Sequence, residues 1–485
     1  MLSILVGHSY FLRFDKKQLE RAKPYPPLAT LQVAGLLRRR GHSVALFDAM
    51  LADGVDDYRR KLDATQPQLV LLYEDNFNFL SKMCLGKMRR AACEMIAIAR
   101  ARGARVIAAG ADVTDVPEPY LRAGADLVLI GEGLAALAGL LPRIESQPRA
   151  PAVELADGLA GVACLAADEV RANRGIEAEL VRRSDELPAW ELVDIDRYRR
   201  VWIDAHGYFS LNMAASRGCP FRCTWCAKPI WGNRYLQREP EAVAMEMARL
   251  KRDCHADHIW FADDIFGLRA EWIVQFARRT RDYDGGLPFT IQTRADLVSE
   301  RMAAALADAG CREAWIGAES GSQRVLDAMH KGTTVAEILR ARQRLKSVDI
   351  RVGFFIQLGY LGEELPDILA TRRLLDEALP DDVGVSVSYP LPGTKFYELV
   401  RAQLGHKTHW QESDDLEMMF HGTYSSDFYR AVRDLLHTRI SLEKLNAPAQ
   451  AEQYRRGRTV LELRWEDLIA SERQHRNAAS RAAAN

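Results

Sequence analysis

Three of the chain's eight cysteines, Cys219, Cys223 and Cys226, fall close together in the stretch SRGCPFRCTWCAKPIWG, residues 216–232. Thiolates in such a cluster are metal ligands or disulfide partners. Zinc takes four ligands in paired spacings, and no second Cys or His pair stands at a suitable distance. His255 and His258, in CHADHIW, flank the approach to a strand. A disulfide would leave one thiol over, and chance clustering is a poor account in so cysteine-poor a chain. The reading that remains is an iron–sulfur cluster. A four-iron cluster with three local ligands leaves one iron open to a non-protein ligand, which suits catalysis better than electron storage. The other cysteines, Cys84, Cys93, Cys164, Cys254 and Cys311, are scattered and read as buried small hydrophobes in a reducing compartment.

The elements around the trio alternate between strand-like and helix-like runs. LNMAAS, HIWFADD, FTIQTRA, EAWIGAES, RVGFFIQLG and VGVSVSYP read as strands. Between them lie amphipathic helical runs such as EPEAVAMEMARLKRD and VAEILRARQRLKSVD. Six βα units over 206–400 predict a partial TIM-type barrel, whose active site sits at the carboxyl ends of its strands. The polar residues gather there: the cysteine loop, Asp263 and Asp264, Arg294, Glu319 and Ser320, Gln357 and Tyr389. For each there is also a structural reading, with the aspartates in a turn or cap and Glu319 in a buried ion pair.

Residues 1–145 alternate in the same way. SILVGHS, SVALFDA, PQLVLLYEDNF, ARVIAAGADV and ADLVLIGEG are apolar strands separated by helices, which predicts an α/β, doubly wound parallel sheet of about five strands. Ligands bind beyond the carboxyl ends of such strands. These ends carry GHSYF, YEDNFNF, GADVT and GEG, with Asn76, Phe77, Gly110, Gly131 and Gly133 among them. The glycines either admit a bulky ligand or simply make tight turns. No G-x-G-x-x-G follows the first strand, so a dinucleotide is not expected. Residues 146–205 read as a connector and 401–485 as a helical cap. Tyr389, Trp410, Met418, Met419, Phe420 and Tyr424 line a substrate pocket or are packing between cap and barrel.

With 485 residues the chain is long enough for two or three domains, and its 66 basic residues balance 66 acidic ones. That balance argues against a nucleic-acid partner bound by bulk charge. The N-terminal apolar run is too short for a signal peptide, and no apolar stretch is long enough to span a bilayer. The chain therefore reads as cytoplasmic.

The spacing C-x-x-x-C-x-x-C, with Trp225 before its last cysteine, resembles the radical S-adenosylmethionine (SAM) enzymes. FADDIF stands where that family holds the methionine amino group, with Ala262, Asp263 and Asp264 in place of the common Gly-Gly-Glu. GAESGSQRVLDAMHKGTT is similar to a run that brings Glu319 and Ser320 to the ribose and methionine end. FIQLGYLGEE resembles the fifth-strand motif near adenine, with Leu361 replacing a frequent proline. A doubly wound domain before such a barrel resembles the cobalamin-binding branch of the family, over residues 1 to about 400. The resemblance implies a [4Fe-4S] cluster on Cys219, Cys223 and Cys226, together with SAM and cobalamin. It places Trp225, Asp263, Asp264, Arg294, Glu319, Ser320 and Gln357 around cluster and SAM. Asn76, Phe77, Gly110, Gly131 and Gly133 fall to cobalamin, and Tyr389 and Glu319 to catalytic positions. No D-x-H-x-x-G supplies a histidine to cobalt. His8 and His42 read as surface or turn residues.

In that branch a methyl cation passes from one SAM to cob(I)alamin, and a second SAM yields a 5′-deoxyadenosyl radical that removes a substrate hydrogen. The implied activity is methyl transfer to an unactivated carbon or a phosphinate of a small molecule, with electrons from a donor such as flavodoxin or ferredoxin. Cyclisation or ring rearrangement is the alternative within the branch, and a non-catalytic cobalamin or redox sensor the alternative outside it. Methylthiolation would call for a further cluster and an RNA-binding domain, which neither the scattered cysteines nor the charge balance suggests.

Overall fold

A computed structural model describes residues 1–78, 86–173, 187–226, 230–231, 233–405, 416–445 and 450–477. Cys84 and Trp410 lie outside the described residues.

The N-terminal sheet has seven strands: β1 Ser3–Gly7, β2 Ser43–Phe47, β3 Leu69–Tyr73, β4 Arg105–Ala109, β5 Leu127–Leu129, β6 Val162–Ala166 and β7 Glu169–Asn173. Their order is β2-β1-β3-β4-β5-β6-β7. The first five are parallel, as their uninterrupted apolar runs require of a sheet covered on both faces. Alternation sends Leu5, Val70, Leu72, Val106 and Val128 to one core, with Tyr58, Leu62, Met95 and Ile96 of the covering helices. Ile4, Val6, Leu69, Leu71, Ile107 and Leu127 go to the other face, in a core continuous with that of the second sheet. The two halves therefore share one apolar interior.

The sheet continues past residue 145. β6 runs antiparallel to β5 and to β7. Ala167 and Asp168, with φ of 49° and 68°, make the two-residue hairpin turn. Left-handed conformation at both central residues is the turn that matches strand twist. The rest of the connector holds the helix Ile195–His206, capped by the Asp194 side chain on Arg197 N and ended by Gly207. It docks through Tyr198 Oη on Asp48 (2.6 Å) and Trp202 Nε1 on the Pro24 carbonyl (2.7 Å).

The second sheet contains β8 Ser210–Met213, β11 His258–Phe261, β12 Phe289–Thr293, β13 Cys311–Glu319, β14 Arg351–Leu358 and β15 Asp382–Val387. All pair in parallel in sequence order, and β8 and β15 form the two edges, giving the partial barrel. Alternate residues such as Ile259, Phe261, Ile291, Ile316, Phe354 and Ile356 are wholly buried against the helices. Alternation puts Trp260, Gln292, Trp315, Gly317, Phe355 and Gln357 on the opposite, lumen face of the strands.

In the C-terminal region Ser426–Glu443 and Ala451–Ala470 form helices. Met418, Met419, Phe420 and Tyr424 are buried in the shared core, with Phe420 edge-on to Phe396, so of the two readings for these four the structure takes packing. No helix among the described residues is long and apolar enough to cross a membrane.

Candidate active site

The cysteine loop leaves the carboxyl end of β8 and is closed at its neck by a two-residue ladder, β9 Ser216–Arg217 against β10 Leu236–Gln237. Gly218 has φ of 75°, and a Cβ there would lie 2.3 Å from the Arg234 carbonyl oxygen. Only glycine fits that neck. Thr224, between the last two cysteines, ties the loop to the barrel. Its N–H and hydroxyl both donate to the Met329 carbonyl (3.0 and 3.1 Å), and its hydroxyl also meets Tyr360 Oη at 2.7 Å. Cys219 is buried, Cys223 and Cys226 are half-buried, and none of the three is in a disulfide. Trp225 packs against the core with its indole N–H buried and unsatisfied. Among the described residues no three His, Cys, Asp or Glu side chains close on a single metal ion.

The lumen residues sort by what they touch. Asp263 is turned away from the lumen. Its carboxylate accepts from Ala215 N (2.9 Å) and from the Ser216 hydroxyl, tying β11 to the root of the cysteine loop. Asp264, one residue on, is exposed. Arg294 is buried and donates to the Lys331 carbonyl (2.6 Å), Thr333 Oγ1 (3.0 Å) and Asp296 (2.9 Å). At Glu319 the β13 register slips and φ is 61°. That left-handed turn folds the carboxylate back over Gly317, where it meets Lys331 Nζ at 2.7 Å. The ion-pair reading of Glu319 is therefore the observed one, and a non-glycine residue in this backbone region carries strain. Ser320 is a correction. Its hydroxyl bonds Thr371 Oγ1 (3.2 Å) and Ser322 N (3.1 Å), within the layer of helices rather than toward a ribose. Gln357 donates to Ser388 Oγ at 2.9 Å. Tyr389 is half-buried, and burial pushes its phenol up.

Two residues escaped the sequence reading. Lys331 holds Glu319 from twelve positions away. Glu363 is wholly buried in the loop after β14, where it accepts from Gly359 N at 2.6 Å and burial pushes its carboxyl to about 8.

Burial likewise raises Asp263 from 3.8 to about 7, with hydrogen bonds from Ser216 and Ala215 opposing. Between those values the folded chain holds a proton that the unfolded chain has lost. The stabilisation is complete below the unfolded value and is lost as pH rises through about 7, on the order of 4 kcal/mol over the window. Asp263→Asn cannot titrate. In thermal melts the variant should gain on the parent between pH 5 and pH 8. A difference in Tm that is constant across this range would contradict a protonated Asp263.

The N-terminal sheet presents its carboxyl edge to the cysteine loop. Phe77 lies against Trp231 with ring centroids 5.2 Å apart. Arg217, at the loop's neck, pairs with Glu132, and its other nitrogen donates to Gln32 at 2.8 Å. Tyr73 Oη donates to the Glu132 carbonyl at 2.6 Å. Gly131 faces the Ile230 carbonyl, 3.5 Å from where a Cβ would stand. Asn76 is buried, and neither atom of its amide meets a hydrogen-bond partner among the described residues. Gly110 and Gly133 are not open cradles: a Cβ would strike Glu74 at 2.7 Å or Leu129 at 2.5 Å. Those two serve packing and turn.

The histidines need correction too. His8 is wholly buried at the end of β1, with Nε2 3.0 Å from both Asp48 Oδ1 and Ala49 N. His42 Nδ1 accepts from Leu2 N at 3.3 Å, at the opposite edge of the sheet, so the ring is not a free surface group. The crevice between β1 and β3, where a doubly wound sheet would first be searched for a ligand, is crossed by the chain itself. Glu74 accepts from Ser9 N (3.0 Å) and Asp75 from Ala29 N (3.0 Å). The edge left to a ligand runs from β3 to β5.

Residues 213–375, from the end of β8 through the cysteine loop and on past β14, match the radical SAM superfamily. That stretch is a radical SAM domain. The trio falls inside it, and its residues fit an iron–sulfur cluster: three thiols on one loop, clamped at Thr224, with the Arg294 guanidinium beside Cys223. Among relatives of this chain is an uncharacterized methyltransferase of Pyrococcus horikoshii, 25% identical over 77% of this chain and 78% of that protein. Hopanoid C-3 methylase of Methylococcus capsulatus is 24% identical over 78% of this chain and 69% of its own. The anaerobic magnesium-protoporphyrin IX monomethyl ester cyclase of Cereibacter sphaeroides is 26% identical over 58% of this chain, and the match spans only 45% of the cyclase. Two solved structures share the fold. The methyltransferase TsrM from Kitasatospora setae, with cobalamin and [4Fe-4S] cluster bound, superposes with TM-score 0.66 at 20% identity, covering 82% of this chain and 78% of that one. OxsB, a cobalamin-dependent SAM radical enzyme, gives 0.69 at 16% identity, covering 96% and 72%.

Proposed function

We propose that this chain is a cobalamin-dependent radical SAM methyltransferase that methylates an unactivated carbon or a phosphinate of a small molecule. The observation that carries the reading is the apposition of two carboxyl edges, the N-terminal sheet's and the barrel's, through Phe77–Trp231 and Gly131–Ile230. A cofactor held at the first edge would face the cluster loop of the second. Relatives named as methyltransferases support methyl transfer. The match to a cyclase keeps ring closure as the second reading.

Cobalamin, when bound, supplies a methyl carrier, and the cluster with SAM supplies one-electron cleavage of a sulfonium, the electron coming from a donor of the flavodoxin or ferredoxin class. The chain's own residues bind and orient. The buried Asn76 amide, with both atoms unsatisfied, is available to the carboxamides that fringe a corrin, and Gly131 leaves room beside them. Asp264, exposed just past β11, would accept hydrogen bonds from the methionine ammonium. Asp264→Asn should keep the cluster and weaken SAM binding about 10- to 100-fold, the value of a hydrogen bond to a charged group. Unchanged affinity by equilibrium dialysis would remove Asp264 from the site.

Anaerobic reconstitution with iron, sulfide and cobalamin, followed by paramagnetic resonance of the bound cob(II)alamin, tests the proposal. Stoichiometric cobalamin without axial nitrogen splitting is expected. Gly131→Asn, which tolerates the left-handed backbone but fills the space, should lower loading. Nitrogen splitting from an axial histidine would refute this reading of the cobalamin site. No cobalamin at all would leave a radical SAM enzyme of another kind.

A further inference from the structure

We infer that Arg294 sets how readily the cluster takes up its electron, by holding a positive charge against the sulfur of Cys223. The inference rests on the trio being the cluster's ligands. Arg294 follows β12, and 4% of its surface is exposed. Its Nη1 lies 3.8 Å from Cys223 Sγ, a long contact of the kind sulfur acceptors make. Its Cζ stands 3.7 Å above the ring of Phe221, two residues before that cysteine. The remaining nitrogens are already taken: Nη2 by the Lys331 carbonyl and Thr333 Oγ1, Nε by Asp296. Those contacts leave Nη1 as the nitrogen aimed at the sulfur, fixed before any electron arrives.

One electron, supplied by a low-potential flavodoxin- or ferredoxin-class donor, adds one negative charge to the cluster. The same electron is spent when the sulfonium C–S bond of SAM breaks to methionine and a carbon radical. A buried cation beside a ligand sulfur favours the more negative state, and hydrogen bonds to sulfur and burial are recognised levers on cluster potentials. Asp296 works against it. Its carboxylate, on the far side of the guanidinium, offsets part of the charge that Cys223 feels. The two residues should therefore act with opposite signs.

The test is a potentiometric titration of the reconstituted full chain with viologen mediators, read by paramagnetic resonance of the reduced cluster, with iron content measured alongside. Arg294→Met should lower the reduced-to-oxidised ratio about tenfold at a set potential, a shift of about 59 mV downward for one electron. Asp296→Asn keeps an acceptor for Nε but removes the charge, and should raise the ratio. A purely structural Arg294 would change iron content without moving the potential of the clusters that form. Parent-like potentials in both variants, or shifts of the same sign, overturn the inference. If Arg294→Met assembles no cluster, Asp296→Asn decides alone: a rise supports the inference, and no shift overturns it. If the parent assembles none, the ligand assignment itself falls, and this inference with it.

Discussion

Chain with Cys219, Cys223 and Cys226 all replaced by alanine, reconstituted anaerobically, should hold almost no iron where the parent holds about four per chain. Its cluster absorbance and SAM cleavage should fall to background. The loop itself should survive, because its neck depends on Gly218 and its tie to the barrel on Thr224, neither of which is altered. Cys164→Ala is the control. That thiol is buried within β6, and burial raises its pKa, so it is held as a neutral group remote from metal chemistry. Its loss should leave the iron count unchanged. A triple variant that still binds four iron would refute the assignment of these ligands.

The second large effect is expected at Lys331. Lys331 and Glu319 are both almost fully enclosed, with 7% and 6% of their side chains exposed, and Nζ to Oε1 is 2.7 Å. Lys331→Met leaves the Glu319 carboxylate buried without its cation, at a cost of about 3–5 kcal/mol. Lys331→Met with Glu319→Gln removes the charge as well as its partner and should recover most of that loss. Denaturant midpoints for the two variants and the parent make the comparison. If the double variant is no more stable than Lys331→Met, the pair is not what holds this corner. A carboxylate in left-handed backbone, clamped over Gly317, has been given one orientation at some conformational cost. That is the kind of strain found where a side chain must meet a ligand, and it keeps Glu319 a candidate for the catalytic position.

The six barrel strands lie where their apolar runs predict, with ends differing by at most three residues. Buried parallel strands are continuous apolar segments, and such segments show locally. The hairpin Val162–Asn173 was less visible. Its second strand has an exposed face, and its turn is Ala167-Asp168 rather than a glycine or asparagine pair. The helix Val55–Thr65 carries a weak apolar signal, because only Tyr58 and Leu62 on it are buried.

What the amino-acid order determined by itself was the chemistry that neighbours in sequence can perform. Three thiols in one short loop stay close together in any fold, and alternating βα runs specify the layers that must carry them. Which of two adjacent aspartates faces the lumen was not written in FADDIF. Contacts beyond the strand decide it: Ala215 N and the Ser216 hydroxyl hold Asp263 inward, and Asp264 is exposed. Lys331 beneath Glu319, Thr371 on Ser320, and Trp231 against Phe77 join residues 12, 51 and 154 positions apart. His8 meets Asp48, which in turn accepts from Tyr198 of the helix Ile195–His206, 150 positions on. Sequence patterns report a residue's preference for an interior. Only the folded chain brings together the particular groups that share one, and pairing between side chains is decided there.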